Sequence, residues 1–119
     1  MEYLDLKNPS NGWTLMSSMN TPRAGCKVTE LGGVLYAVGG YDCRNFLNSV
    51  ERWEPTTRTW SFVAPMQVQR SDAGVAVLHG KLYAVGGLKK WHSLNSVERY
   101  DPHTNKWTMC SDMTYRRAD

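Results

Sequence analysis

The chain has 119 residues, is 41% hydrophobic and 11% aromatic, and carries a formal net charge of +3. That is enough for one ordinary domain and too apolar for a disordered chain. No run approaches the ~20 apolar residues of a membrane-spanning helix. The basic residues are scattered, with Lys89-Lys90 and Arg116-Arg117 the only adjacent pairs, which excludes a nucleic-acid footprint.

The N-terminus, Met1-Glu2-Tyr3-Leu4-Asp5, lacks the basic-then-apolar order of a signal peptide. Two short strand-like runs follow, Tyr3-Leu4-Asp5-Leu6 and Trp13-Thr14-Leu15. From Met19 the chain repeats itself at a shift of 47 positions without a gap (82 − 35 = 47 for Leu35 and Leu82). Leu35-Tyr36-Ala37-Val38-Gly39-Gly40 returns as Leu82-Tyr83-Ala84-Val85-Gly86-Gly87. Leu47-Asn48-Ser49-Val50-Glu51-Arg52 returns as Leu94-Asn95-Ser96-Val97-Glu98-Arg99. Met19, Met66 and Met113 align, as do Arg23, Arg70 and Arg117, and Trp13, Trp60 and Trp107.

Each period holds four strand-sized runs between turn signals. The first is about Cys26 to Leu31, repeated at Ala73 to Leu78, and ends in a tight hairpin turn at Gly32-Gly33 or His79-Gly80. The second is Leu35 to Val38, repeated at Leu82 to Val85, and is expected to stop at the glycine pair. The longer connections Tyr41 to Asn48 and Leu88 to Asn95 come next. The third run is Ser49 to Trp53, repeated at Ser96 to Tyr100. Pro55 and Pro102 mark the turns after it, where the ladder must stop. The fourth is Thr59 to Val63, repeated at Lys106 to Cys110. No sustained 3.6-residue period is present. Four antiparallel strands per 47 residues make an all-β propeller blade. The repeated tryptophans and Tyr36 and Tyr83 then read as wedges between blades, and the repeated arginines as partners of Glu51 and Glu98 between strands.

These motifs resemble the kelch repeat: Arg23, then Leu31 to Gly40, Asn48-Ser49-Val50-Glu51-Arg52-Trp53-Glu54-Pro55 and Trp60, with a second copy through Asn95 to Pro102 and Trp107. The spelling is most similar to the kelch propellers of BTB–kelch ubiquitin-ligase adaptors. The organisation expected from it is a kelch β-propeller fragment. Residues 1–18 would be the second half of a blade, 19–65 and 66–112 two kelch repeats, and 113–119 the start of a further one. The resemblance implies a ring of about six blades, so two and a half need either more chain or association with other copies to complete the propeller.

Chemistry of catalysis is not legible. His79, His92 and His103 fall at unrelated points of the blade plan, and no metal-ligand spacing exists. The glycine pairs precede no helix and are not phosphate loops. No serine, histidine and aspartate form a triad motif. Kelch enzymes such as galactose oxidase exist, but their copper ligands have no counterpart here. The expectation is therefore no catalytic residue, no metal and no cofactor. Cys26, Cys43 and Cys110 are odd in number and widely spaced, which favours free thiols in a reducing, cytoplasmic setting.

Binding is better supported. The two periods agree in framework and diverge in the connections, as expected where a packed scaffold carries recognition loops. In kelch adaptors the partner docks on the loops joining the second and third strands and on those leading into the first. By position the resemblance implies Tyr41, Asp42, Arg44, Asn45, Phe46, Lys89, Lys90, Trp91, His92, Ser71 and Asp72 as partner-binding residues. Aromatic anchors beside Arg44, Lys89 and Lys90 suit a protein or peptide substrate, for which an acidic or phosphorylated segment would be a natural ligand. The resemblance also implies a cullin-RING ligase recruited through a BTB region, which no part of these 119 residues resembles. An actin-associated or architectural kelch protein and a fragment of a kelch-type enzyme are the alternatives. Neither nucleic acid nor membrane is expected as a partner.

Overall fold

In the computed structural model, residues 2–4, 13–15 and 19–110 are described. Twelve strands and no helix occur among them. Strands β1 (Glu2–Leu4) and β2 (Trp13–Leu15) pair antiparallel. Strands β3 (Lys27–Leu31), β4 (Val34–Tyr41), β5 (Phe46–Glu54) and β6 (Thr59–Phe62) form one four-stranded antiparallel sheet in chain order. Strands β7 (Gly74–Leu78) and β8 (Lys81–Val85) begin the second sheet. The two-residue strands β9 (Leu88–Lys89) and β10 (His92–Ser93) form a small hairpin of their own. Strands β11 (Val97–Asp101) and β12 (Lys106–Met109) complete the second sheet in the order β7-β8-β11-β12. These are two blades with the predicted four-strand meander.

The hairpin turns close as the sequence requires. Both central residues have positive φ, 62° and 83° at Gly32-Gly33 and 52° and 73° at His79-Gly80, the type I′ geometry that matches strand twist. One expectation fails in the first blade. Strand β4 does not stop at the glycine pair but continues to Tyr41, with a register shift between Val38 and Gly40. The ladder resumes because Tyr41 faces Phe46 across it, ring centroids 5.2 Å apart. Strand β5 therefore starts at Phe46, and the predicted long connection shrinks to a tip at 42–45. In the second blade β8 does end at Val85, and the matching residues reappear as β9 and β10. Cys26 and Cys110 each lie one residue outside a strand rather than within one.

The core is the seam between the blades. Tyr36, Val38 and Val50 from the first sheet meet Leu82, Ala84, Tyr100 and Trp107 from the second, with Met66 between them. Tyr36 meets Tyr100 edge-on at 5.7 Å, and Tyr100 tilts against Trp107 at 5.1 Å. Such pairs add ~0.5–1.5 kcal/mol beyond the area they bury. Tyr36 is a wedge between blades as expected, at 2% exposure, whereas its repeat mate Tyr83 is half-buried and takes no part in this cluster. Trp60 and Trp53 instead pack with Ala37, Leu35 and Met19 on the opposite face of the first sheet. Trp13, Met113 and Arg117 lie outside the residues whose side chains are described.

Tyr100 is buried, and its hydroxyl donates to Asn105 Oδ1 at 2.8 Å. Burial pushes its phenol up to about 12 from the ordinary 10.0. The folded state thus holds this proton more tightly than the unfolded chain. Its contribution to stability is full below the ordinary phenol pKa and is lost as the pH climbs through about 12. An alkaline denaturation series should show that loss, and Tyr100→Phe should flatten it.

The repeated arginines form the predicted ion pairs, and each forms a network. Arg23 Nη2 lies 3.0 Å from Glu51 Oε2, and Arg70 Nη2 lies 3.1 Å from Glu98 Oε2, all four side chains fully buried. Arg23 Nη1 donates to the Gly39 and Ser49 carbonyls, and Arg70 Nη1 to those of Gly86 and Ser96. Glu51 also accepts the backbone N–H groups of Asn20 and Thr21, and Glu98 those of Gln67 and Val68. The pattern is identical bond for bond at the 47-residue shift.

Candidate functional site

The loops predicted to carry recognition meet at one end of the seam between the blades. The second blade's connecting segment bonds across to the first blade: Met66 N donates to Asn48 O, Arg70 N to Leu47 O, and Gly40 N to Arg70 O. Beyond that point a chain of main-chain bonds runs from blade to blade. Ala24 and Tyr41 exchange two bonds of 2.8 and 2.7 Å, Asp72 N donates to Gly25 O at 2.8 Å, and Ser71 and Leu88 exchange two of 2.9 and 2.7 Å. This ladder is the floor of an open slot of about 400 Å³.

The slot is lined by Tyr41, Phe46, Ser71, Asp72, Leu88 and Trp91, with Ala24 and Gly25 at its base. Five residues singled out from the sequence, Tyr41, Phe46, Ser71, Asp72 and Trp91, are thus brought together although they come from three separate segments. Trp91 is 95% exposed and stands in the turn of the β9–β10 hairpin. Lys90, in the same turn, borders a second, smaller hollow of about 260 Å³ with Tyr41, Phe46 and Trp91. Phe46 is half-buried against Tyr41, so it serves both the loop's packing and the slot wall.

The other predicted residues lie outside the slot. Asp42, Arg44 and Asn45 form the tip between β4 and β5. The Asp42 carboxylate accepts from the backbone N–H of Asn45 at 2.7 Å and of Arg44 at 3.0 Å. Those two bonds hold its carboxyl below the usual aspartate range and tie it to the turn. Arg44, Lys89 and His92 are exposed around the rim. The segments leading into the first strands divide: Asn20, Thr21 and Arg23, like Gln67, Val68 and Arg70, bond inward to Glu51 or Glu98, while Ser71 and Asp72 face the slot.

Ala24 and Gly25 were not singled out from the sequence. The signal was present: Gly25 aligns with Asp72 at the 47-residue shift, and both have left-handed backbone, φ 65° and 57°. Cys43 is exposed in the tip and Cys26 is half-buried, where burial pushes its thiol up. Among the described residues, no group of three or more histidine, cysteine, aspartate or glutamate side chains is placed to hold a metal ion.

Comparison with known proteins agrees with this architecture. The Kelch motif family model matches residues 22–67 and 69–114. The chain is 53% identical over 51 residues to Kelch-like protein 1 of Mus musculus and 50% identical over 54 residues to Kelch-like protein 4 of Homo sapiens. Those matches span 42% and 45% of this chain but only 7% of each relative. Among solved structures, one titled "Structure of YjhT" superposes with a TM-score of 0.79 over 89% of this chain and 43% of that one. Its 17% identity makes it a likeness of fold.

Proposed function

The chain belongs to the kelch-repeat family, and on that premise we propose that its two blades are part of a substrate-recognition propeller in a cullin-RING ubiquitin-ligase adaptor. The module binds and does not catalyse. Its partner is a protein or peptide segment that docks across the slot between the blades. The observation that carries this reading is Trp91. A tryptophan 95% exposed is a poor residue for a framework and a strong one for an interface anchor. It stands where the repeats diverge, beside two further aromatics, on a floor held by main-chain bonds. The exposed Arg44, Lys89 and Lys90 around it favour a partner with acidic residues on its flanks. The likeness to kelch-like proteins supports the adaptor role, and a cytoplasmic setting is part of the same proposal.

Trp91→Ala should weaken partner binding by ~2 kcal/mol or more and leave thermal stability unchanged, since the ring touches solvent on nearly every side. Titration of a partner captured from lysate against both proteins, with melting curves alongside, checks both halves. Unchanged affinity would sink the assignment. The adaptor role has its own test. A BTB region encoded upstream of Met1 in the parent transcript, and a cullin copurifying with that parent, are the expected findings. A parent without such a region would favour an actin-associated or architectural role.

A further inference from the structure

We propose that the slot between the blades takes an arginine side chain of the partner, its stem among Tyr41, Phe46 and Trp91 and its guanidinium on the Asp72 carboxylate. This rests on the loop-face reading above and names the residue that face selects. Among the described residues lining the slot, Asp72 is the one that carries a charge. Its carboxylate is exposed, accepts one bond from the Ser71 hydroxyl at 3.2 Å and pairs with no cation of the described chain. The rest of the lining is three aromatic rings, Leu88 and small residues. An apolar, aromatic slot with one acid in its wall fits a cation on an apolar stem. Of the two candidates, guanidinium is the planar, weakly hydrated one that stacks on rings and bonds a carboxylate through two N–H groups.

A second observation concerns the space in which Asp72 sits. The first blade has Gly25 at this repeat position, in nearly the same left-handed backbone. The next period has aspartate there again, Asp119, and aspartate is among the few side chains that visit left-handed backbone, so the second blade presents a carboxylate at φ 57° where the first has glycine. A Cβ at Gly25 would come within 2.5 Å of Ser71 Oγ and 3.3 Å of the Asp72 carboxylate oxygens, so glycine in one blade makes room for the acid of the other. The Lys90 side chain borders the outer hollow, and an acidic residue next to the bound arginine would meet it there.

The test is selection of short random peptides on the whole chain, followed by binding measurements on the winners. Wild-type protein should enrich peptides that share an arginine, and exchanging it for neutral, isosteric citrulline should weaken binding about tenfold or more. Asp72→Asn should reproduce that loss. Asp72→Gly should do so too, in a left-handed backbone that glycine adopts freely. Winners that need Trp91 but share no arginine, or an arginine preference that survives both Asp72 variants, would overturn the arginine slot and leave the loop face standing. Binding indifferent to Trp91→Ala and to both Asp72 variants, or a selection that enriches nothing, would remove the face and the slot with it.

Discussion

Arg70→Met is expected to destabilise the chain by ~3–5 kcal/mol, the cost of leaving a buried charge without its partner. Arg70 and Glu98 are both fully buried, so water cannot replace the lost guanidinium. Five bonds vanish with it, to Glu98 twice, to the Gly86 and Ser96 carbonyls and to the Ser96 hydroxyl. The residue's main chain is bonded to the first blade, through Leu47 O and Gly40 N. Its side chain is bonded to the second. Arg70 is therefore a clip across the seam, and its loss should loosen the Tyr36–Tyr100 contact along with the second blade. Adding Glu98→Gln should recover part of the loss. The amide removes the stranded charge and keeps an acceptor for the N–H groups of Gln67 and Val68. Urea midpoints of the single and double variants, with near-ultraviolet circular dichroism for the aromatic seam, measure this. A double variant no more stable than Arg70→Met would show that stranded charge is not the dominant cost.

That clip was half legible in the sequence. Recurrence of Arg23, Arg70, Glu51 and Glu98 at one period marked them as scaffold, because a packing requirement repeats with the blade and a ligand requirement need not. The period could not say that the arginine's main chain serves one blade and its side chain the next, since that depends on where the connecting segment crosses. The misread end of β4 has a similar cause. Two glycines after an apolar run signal unusual backbone, but a strand end and a bulge use the same residues. What decides is the Tyr41–Phe46 pair beyond the glycines, two residues that read as connection once the glycine pair is given the strand end. Divergence between repeats located the slot, and the same divergence hid Gly25, whose place in the slot shows only once its carbonyl is bonded to the Asp72 N–H. Asp42 shows the opposite limit: an aspartate in a variable loop looked available, and its carboxylate is spent on two neighbouring N–H groups.

Gly39→Ala should cost ~3 kcal/mol or more, and Gly32→Ala only ~1 kcal/mol, although the two glycines have almost the same backbone. Their φ values are 63° and 62°, so the left-handed strain of an alanine is common to both. Around Gly32 a Cβ would meet nothing within 4 Å. At Gly39 it would drive into the Arg70 carbonyl oxygen and lie 3.2 Å from Met66 Cε. The methionine can turn aside, but the carbonyl cannot, because it is the acceptor of the Gly40 N–H at 2.7 Å. Moving it breaks the main-chain half of the Arg70 clip. The Gly39 carbonyl in turn accepts from Arg23 Nη1 at 2.8 Å, so displacement of this peptide also disturbs the first blade's arginine network. The difference of ~2 kcal/mol between the variants isolates the close approach of the two blades from the intrinsic strain of alanine. Equal melting shifts for Gly39→Ala and Gly32→Ala would mean that the seam yields at this point, and that the glycine pair is there for its backbone angles alone.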